Sequence, residues 1–217
     1  MLPIPVSVQL TAGAATEVTT AQTLGAAGNF VIDGIAASGG VATLDAPRRI
    51  LLTFAADESG HTFTVYGVSH NGQAISEAVA GTAAGTVYTN NDFLTVTRVA
   101  SSAATTGNVS FGTNGVGSSR WVYVSPHMTP TNLAIASVVV PTVNYTIQYC
   151  YQDPAGLPTS FPVAPVTPTP FDDAVVAAQT SNKVAYMNDP VICWRVTVNS
   201  GTGKVTSTGL QAGISGP

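Results

Sequence analysis

The chain is poor in charge. Of its 217 residues, only 8% are Asp, Glu, Lys or Arg, against about 25% in ordinary soluble domains. Lysine is almost missing, with Lys183 and Lys204 alone. A soluble monomer normally coats itself in mixed charge to stay apart from its neighbours. This composition therefore points to a surface covered by glycan or, the reading we favour, buried against other subunits. The net charge is −4 and the basic residues are scattered, so there is no Lys/Arg footprint for a nucleic acid. No run of about 18 apolar residues marks a membrane-spanning helix. The N-terminal stretch Met1–Gln9 lacks a basic region and is interrupted by Pro3 and Pro5. It reads as an extended arm or edge strand rather than a secretory signal.

Cysteine is equally scarce. Cys150 and Cys193 each lie in a strand-like segment, and buried free thiols are the expected state. A disulfide requires adjacent strands, which spacing alone does not decide. A catalytic thiol needs a positive, partly exposed pocket, and neither segment offers one.

Helix signals are rare too. The best candidate is Phe171–Gln179, with Asp172 as its cap. The remainder consists of short β-branched runs broken by Gly, Asn, Ser and Pro, a pattern that predicts an all-β protein of β-sandwich or barrel-like modules. Strands are expected near 29–35, 40–45, 48–56, 62–69, 73–80, 92–101 and 107–113. In the second half they are expected near 120–125, 132–140, 143–152, 191–199 and 203–211. The Gly/Ser/Asn stretch Gly112–Ser119 divides two modules, 1–117 and 118–217. Within the irregular segment 153–170, the Pro-rich strap 161–170 can form neither a helix nor a central strand. It is expected to lie extended over a neighbouring surface.

Catalytic signatures are missing as well. There is no G-x-S-x-G elbow, H-E-x-x-H, P-loop or C-x-x-C. Gly112–Gly117 lacks the dinucleotide spacing and a following helix. Neighbouring residues of a strand point to opposite faces, so Asp57-Glu58 and Asp172-Asp173 do not form carboxylate pairs. They read as solvated loop acids. His127, in Ser125–Pro130, reads as an isolated loop residue. No catalytic, cofactor-binding or metal-ligating residue is assigned, no cofactor is expected, and an enzyme is not.

One segment tests that conclusion: "HTFTVYGVSHNGQAISEAV", residues 61–79, with two histidines and a glutamate. Taking Asn71-Gly72 as a two-residue turn predicts a hairpin. Tyr66 then faces Glu77, with Ile75 and Val79 flanking it on the same face. A part-buried Glu77 needs a partner: the Tyr66 hydroxyl, Arg48, Arg49 or a backbone amide. His61 and His70 then lie roughly 30 Å apart at about 3.3 Å per residue, too far to share a metal. The rings Trp121, Tyr123, Tyr149, Tyr151 and Trp194 are expected in the core of the second module. Exposed, they would instead suggest a saccharide platform.

An ordered set of motifs carries a resemblance. It runs Asp45-Ala-Pro-Arg-Arg-Ile-Leu-Leu-Thr, Gly60-His-Thr-Phe-Thr-Val-Tyr-Gly-Val, Asn71-Gly-Gln-Ala-Ile-Ser-Glu-Ala-Val, Asn91-Asp-Phe-Leu-Thr-Val-Thr and Val109-Ser-Phe-Gly-Thr. Cys193–Val205 and Leu210–Gly213 close it. This order resembles β-rich structural proteins of tailed-bacteriophage particles, with Ser69-His70 standing where that pattern often has an acidic residue. The resemblance implies a virion component assembled in the host cytoplasm. It would bind the capsid as a decoration or cement protein through large-area contacts. Its partners would be the major capsid protein and other copies of itself, with a trimer among the closed arrangements. Alternatives are a head–tail connector or tail accessory protein, whose partners are neck or tail proteins, and a carbohydrate-binding or host-attachment module.

Overall fold

A computed structural model describes residues 3–125, 128–153 and 169–215. The protein is all-β, with no helix among the described residues. Its strands are β1 (Ile4–Gln9), β2 (Thr19–Gln22), β3 (Gly28–Asn29), β4 (Ala37–Ser38), β5 (Val41–Phe54), β6 (Thr62–Val68), β7 (Ala74–Ala80), β8 (Gly85–Ser101) and β9 (Val109–Ser118). They continue as β10 (Val122–Tyr123), β11 (Met128–Val139), β12 (Val143–Cys150), β13 (Phe171–Asp172), β14 (Lys183–Met187), β15 (Cys193–Gly201) and β16 (Lys204–Ser215). They make a four-stranded and a twelve-stranded sheet. The chain forms two compact units, Thr11–Val116 and Met1–Leu10 with Gly117–Pro217. The first ten residues thus group with the C-terminal half, because β1 pairs antiparallel with β16.

In the unit Thr11–Val116, β5, β8, β6 and β7 are neighbours in that order. Alternating burial along β5 and β6 turns Ile50, Leu52, Phe54, Phe63 and Val65 inward, the two-residue period of a strand with one face packed. The core joins these to Phe30, Phe93, Val99 and Phe111. Phe30–Phe111 and Phe54–Phe63 centroids are 5.0 Å apart in tilted pairs, a favoured aromatic geometry. The β5–β8 ladder slips twice, between Thr43 and Arg48 and between Arg49 and Leu51. Slips of this kind strand backbone amides that need other acceptors.

In the other unit, β1-β16-β11-β14 form the four-stranded sheet. Val6, Val8, Val205, Leu133, Ile135, Ala185 and Met187 turn inward. Ser137 and Ser207 sit among them, sharing a 2.7 Å hydrogen bond that satisfies both buried hydroxyls. Trp194 is buried. A Cβ on Gly209 would lie 2.7 Å from its ring, so only glycine lets β16 approach that closely.

The helix expected over Phe171–Gln179 does not form. Phe171–Asp172 instead pairs with β12, and Asp173 N and Gln179 N donate to Ile147 O and Tyr145 O. Asp173, rather than Asp172, accepts from Val175 N and Val176 N at 3.0 and 2.8 Å. The edge of β12 offers acceptors that a short isolated helix cannot outweigh. Residues 161–168 of the Pro-rich strap and His127 lie outside the described residues.

Candidate functional site

The 61–79 hairpin forms, but one residue out of the expected register. Val68 pairs with Ala74, and Ser69 N donates to Gln73 O at 2.9 Å. The loop is therefore the three residues His70-Asn71-Gly72, with Gly72 N donating to Ser69 O and Gly72 at φ 78°. A type I turn followed by a left-handed glycine is a common hairpin solution. Glu77 accordingly faces Val65, and Tyr66 faces Ser76. A one-residue slip moves a strand's partners to the opposite face, so Tyr66 lies away from Glu77. Its ring is instead covered by the Arg98 guanidinium, 3.6 Å from the centroid.

The Glu77 carboxylate accepts from Asn90 N at 2.7 Å, Asn91 N at 2.8 Å and Asn90 Nδ2 at 3.2 Å. These amides belong to the second slip of the β5–β8 ladder. Ile50 N donates to Thr89 Oγ1 across the same irregularity. Of the partners considered from sequence, the backbone amide is the one Glu77 takes.

The first slip is held by the Asp45-Ala-Pro-Arg48 motif. Arg48 is buried, and its Nε and Nη2 donate to the two Asp45 oxygens. Nη2 also reaches Thr11 O at 2.8 Å, and Nη1 reaches Asn114 O at 3.3 Å. Asp45 Oδ2 accepts from Thr11 N at 2.8 Å. Burial pushes the Asp45 carboxyl up. The hydrogen bonds and charge of Arg48, with those of Thr11, outweigh it and hold Asp45 below the ordinary carboxylate range.

A third clamp uses a residue read as a solvated loop acid. Glu58 is fully buried. Its Oε1 accepts from Thr106 N at 2.7 Å and Gly107 N at 2.9 Å, and its Oε2 accepts from His61 Nδ1 at 2.6 Å. His61 N also donates to Glu58 O. Asp57 and Glu58 lie outside any strand, between β5 and β6, so strand alternation does not apply to them, and Glu58 is buried rather than solvated. The spacing Glu58-x-x-His61 was the available signal. With Glu58 as acceptor, the imidazole presents its Nδ1 proton inward. Both carboxylate oxygens are committed, so the pair ties the 58–61 loop to 106–107. Among the described residues, no three His, Cys, Asp or Glu side chains gather where a metal ion would need them.

The aromatic residues divide. Trp194 is buried, whereas Tyr123 and Tyr151 are each 45% exposed and Phe171 is 46% exposed. Tyr149 stacks on Phe171 at 6.1 Å, and Tyr151 meets both edge-on at 5.8 and 5.6 Å. Trp121 is half-buried under the Arg195 guanidinium, 4.6 Å from its centroid. Phe171 completes this cluster through its pairing with Tyr149, a contact 22 residues long in sequence that no local pattern announces.

The four-stranded sheet has one face packed and one open. Register places Pro5, Thr208, Ala136 and Val184 in one outward row, and Leu210, Ala134 and Tyr186 in the next. Neither row contains a charge. Tyr186 is 72% exposed, and Val184, Leu210 and Val138 are exposed with it.

Comparison of the chain with protein-family profiles, with curated proteins and with solved structures returned no match.

Proposed function

We propose that the protein is a structural subunit of a tailed-phage particle, binding the assembled capsid as a decoration protein through broad surface contact. The observation that carries this reading is the charge-poor outward face of the four-stranded sheet, where Lys204 at the start of β16 is the charge among the described positions and Tyr186 is the most exposed large apolar side chain. Exposed antiparallel sheets ordinarily alternate to polar and charged residues on their wet side. A face of Ala, Val, Thr, Leu and Tyr suits burial against another subunit, and charge depletion with aromatic enrichment marks interface centres. The internal use of Glu58, Glu77 and Asp45 as backbone clamps agrees with a building block. The resemblance of the Asp45–Val79 motifs to phage structural proteins points the same way. The major capsid protein and further copies of this chain are the partners, and the particle is its location. Counting copies per purified particle by quantitative mass spectrometry tests the reading. Hundreds of copies support capsid decoration. About six to twelve favour a neck or tail ring, and absence from particles overturns it.

A second reading, saccharide binding, is favoured by the part-exposed Tyr149–Tyr151–Phe171 cluster. Aromatic faces suit the apolar faces of sugar rings while their polar edges stay wet. A glycan array decides it: binding lost in Tyr151→Ala or Trp121→Ala with folding intact supports this reading over the first.

A further inference from the structure

We propose that Cys150 and Cys193 form a disulfide site, at which oxidation joins β12 to β15 by a cross-strand bond. The two residues face each other directly in the β12–β15 register. They are the only cysteines in the chain. Both are fully buried, with their sulfurs 2.6 Å apart, closer than non-bonded contact allows. Facing residues of antiparallel strands hold their Cβ atoms about 4.5–5.5 Å apart, and a disulfide needs about 3.5–4.5 Å. Closing the bond therefore asks for little backbone movement. The residues are 43 apart in sequence, so the bond closes a long loop.

The two thiols are not equivalent. The hydrogen bond from Cys193 favours the Cys150 thiolate and holds that thiol below its ordinary value. The same bond, together with burial, pushes Cys193 up. Either thiol can ionise and attack, and the chemistry is the same with Cys150 taken first. The oxidant is hydrogen peroxide, small and neutral enough to reach a buried sulfur. The Cys150 thiolate attacks one peroxide oxygen, the O–O bond breaks, and hydroxide leaves and takes up the proton Cys150 released. The sulfur of Cys193 then attacks the resulting sulfenic acid. The S–O bond breaks, and water departs with the Cys193 proton. In sum, two thiols and one peroxide give one disulfide and two waters. In a reducing cytosol the pair stays as thiols, and it closes in oxidising surroundings. This inference stands apart from the proposed function.

The test uses the full chain, purified with reductant, then treated with hydrogen peroxide or kept reduced. Each sample is unfolded and tagged with maleimide, weighed intact and mapped by unreduced peptides. The expected result is a mass lower by two hydrogens, no maleimide uptake, and one linked peptide pair containing Cys150 and Cys193. The unfolding midpoint should rise and fall back on reduction. Cys193→Ser should stop at oxygen addition on Cys150. Two maleimides taken up after peroxide treatment, oxygen addition in the unsubstituted chain without a link, or a link between chains each overturn the proposal. The peptide map of the unsubstituted chain decides the matter even where the variant fails to fold.

Discussion

The two units are built from the same small, β-branched vocabulary yet spend their few special residues in opposite directions. In Thr11–Val116, carboxylates turn to backbone: Asp33 to Thr20 N, Asp45 to Thr11 N, Glu58 to Thr106 and Gly107 N, and Glu77 to Asn90 and Asn91 N. In the unit of Gly117–Pro217 with Met1–Leu10, Asp173 serves backbone amides in the same way, but Tyr151, Phe171 and Tyr186 turn outward. The difference teaches that a low charge count is not merely missing charge. The first unit uses anions to satisfy the irregularities of a long, twice-slipped ladder. The second, whose ladders slip once each in β11–β16 and β12–β15, exposes Tyr151, Phe171 and Tyr186.

Both tryptophans, Trp121 and Trp194, belong to the second unit, so their fluorescence separates the two. The largest effect is expected from Glu58→Ala. It removes the buried acceptor of two part-buried amides and of the His61 ring, at a cost on the order of 3 kcal/mol. Backbone circular dichroism should report an early transition in denaturant that tryptophan fluorescence does not share. A single coincident transition would break the division into two units. Gly209→Ala probes the other side. Its methyl lands against the Trp194 ring, and overpacking of this kind costs about 1–3 kcal/mol. Here the tryptophan transition should come first. Glu77→Gln keeps shape but weakens acceptance from Asn90 and Asn91, by about 1 kcal/mol, again in the first unit alone.

Acidity and alkalinity should separate the units in opposite senses. Backbone and side-chain hydrogen bonds from Thr20 lower Asp33, a backbone bond from Ser59 lowers Asp57, and Arg48 with Thr11 lowers Asp45 against its burial. A depressed carboxylate contributes stability that is present above its unfolded value of 3.8 and lost as pH falls through its folded value. Acid below that point should therefore loosen the first unit first. In the second unit, burial raises Tyr145 and Tyr149, the latter helped by the charges of Tyr151, Asp173 and Asp189. Their contribution is full below 10.0 and is lost as pH rises through the folded values. Alkali should loosen the second unit first, and pH titrations followed by the two signals check both ends. The smallest stability effect is expected from Tyr186→Ser, within about 0.5 kcal/mol. The same change should weaken self-association or particle binding in sedimentation, and unchanged association would remove the outward face from the proposal.

Much of the fold was legible because strand signals are local. The expected strands 62–69, 73–80 and 143–152 fall close to β6, β7 and β12. The expected breaks at 46–47 and just before residue 92 turned out to lie inside continuous strands, at the two slips of the ladder. Loop residues that break pairing and bulge residues that merely offset it share the same composition, so only pairing distinguishes them. The hairpin register was missed by one residue, since Asn71-Gly72 suits both a two-residue and a three-residue loop. Glu58 was invisible as a buried residue because its acceptors' donors lie 48 and 49 positions away.

By itself, the sequence determined the all-β class and the presence of Glu77 on the same hairpin face as Ile75 and Val79. Each rests on periodicity or punctuation within a few residues, which a chain carries without folding. The tertiary structure alone decided that Glu58 is a buried clamp, that β1 belongs with β16, that Cys150 meets Cys193, and that Tyr186 looks outward from a charge-poor face. Each of those depends on which distant strand lies alongside, and pairing partners are chosen by the burial and hydrogen-bond needs of the whole sheet.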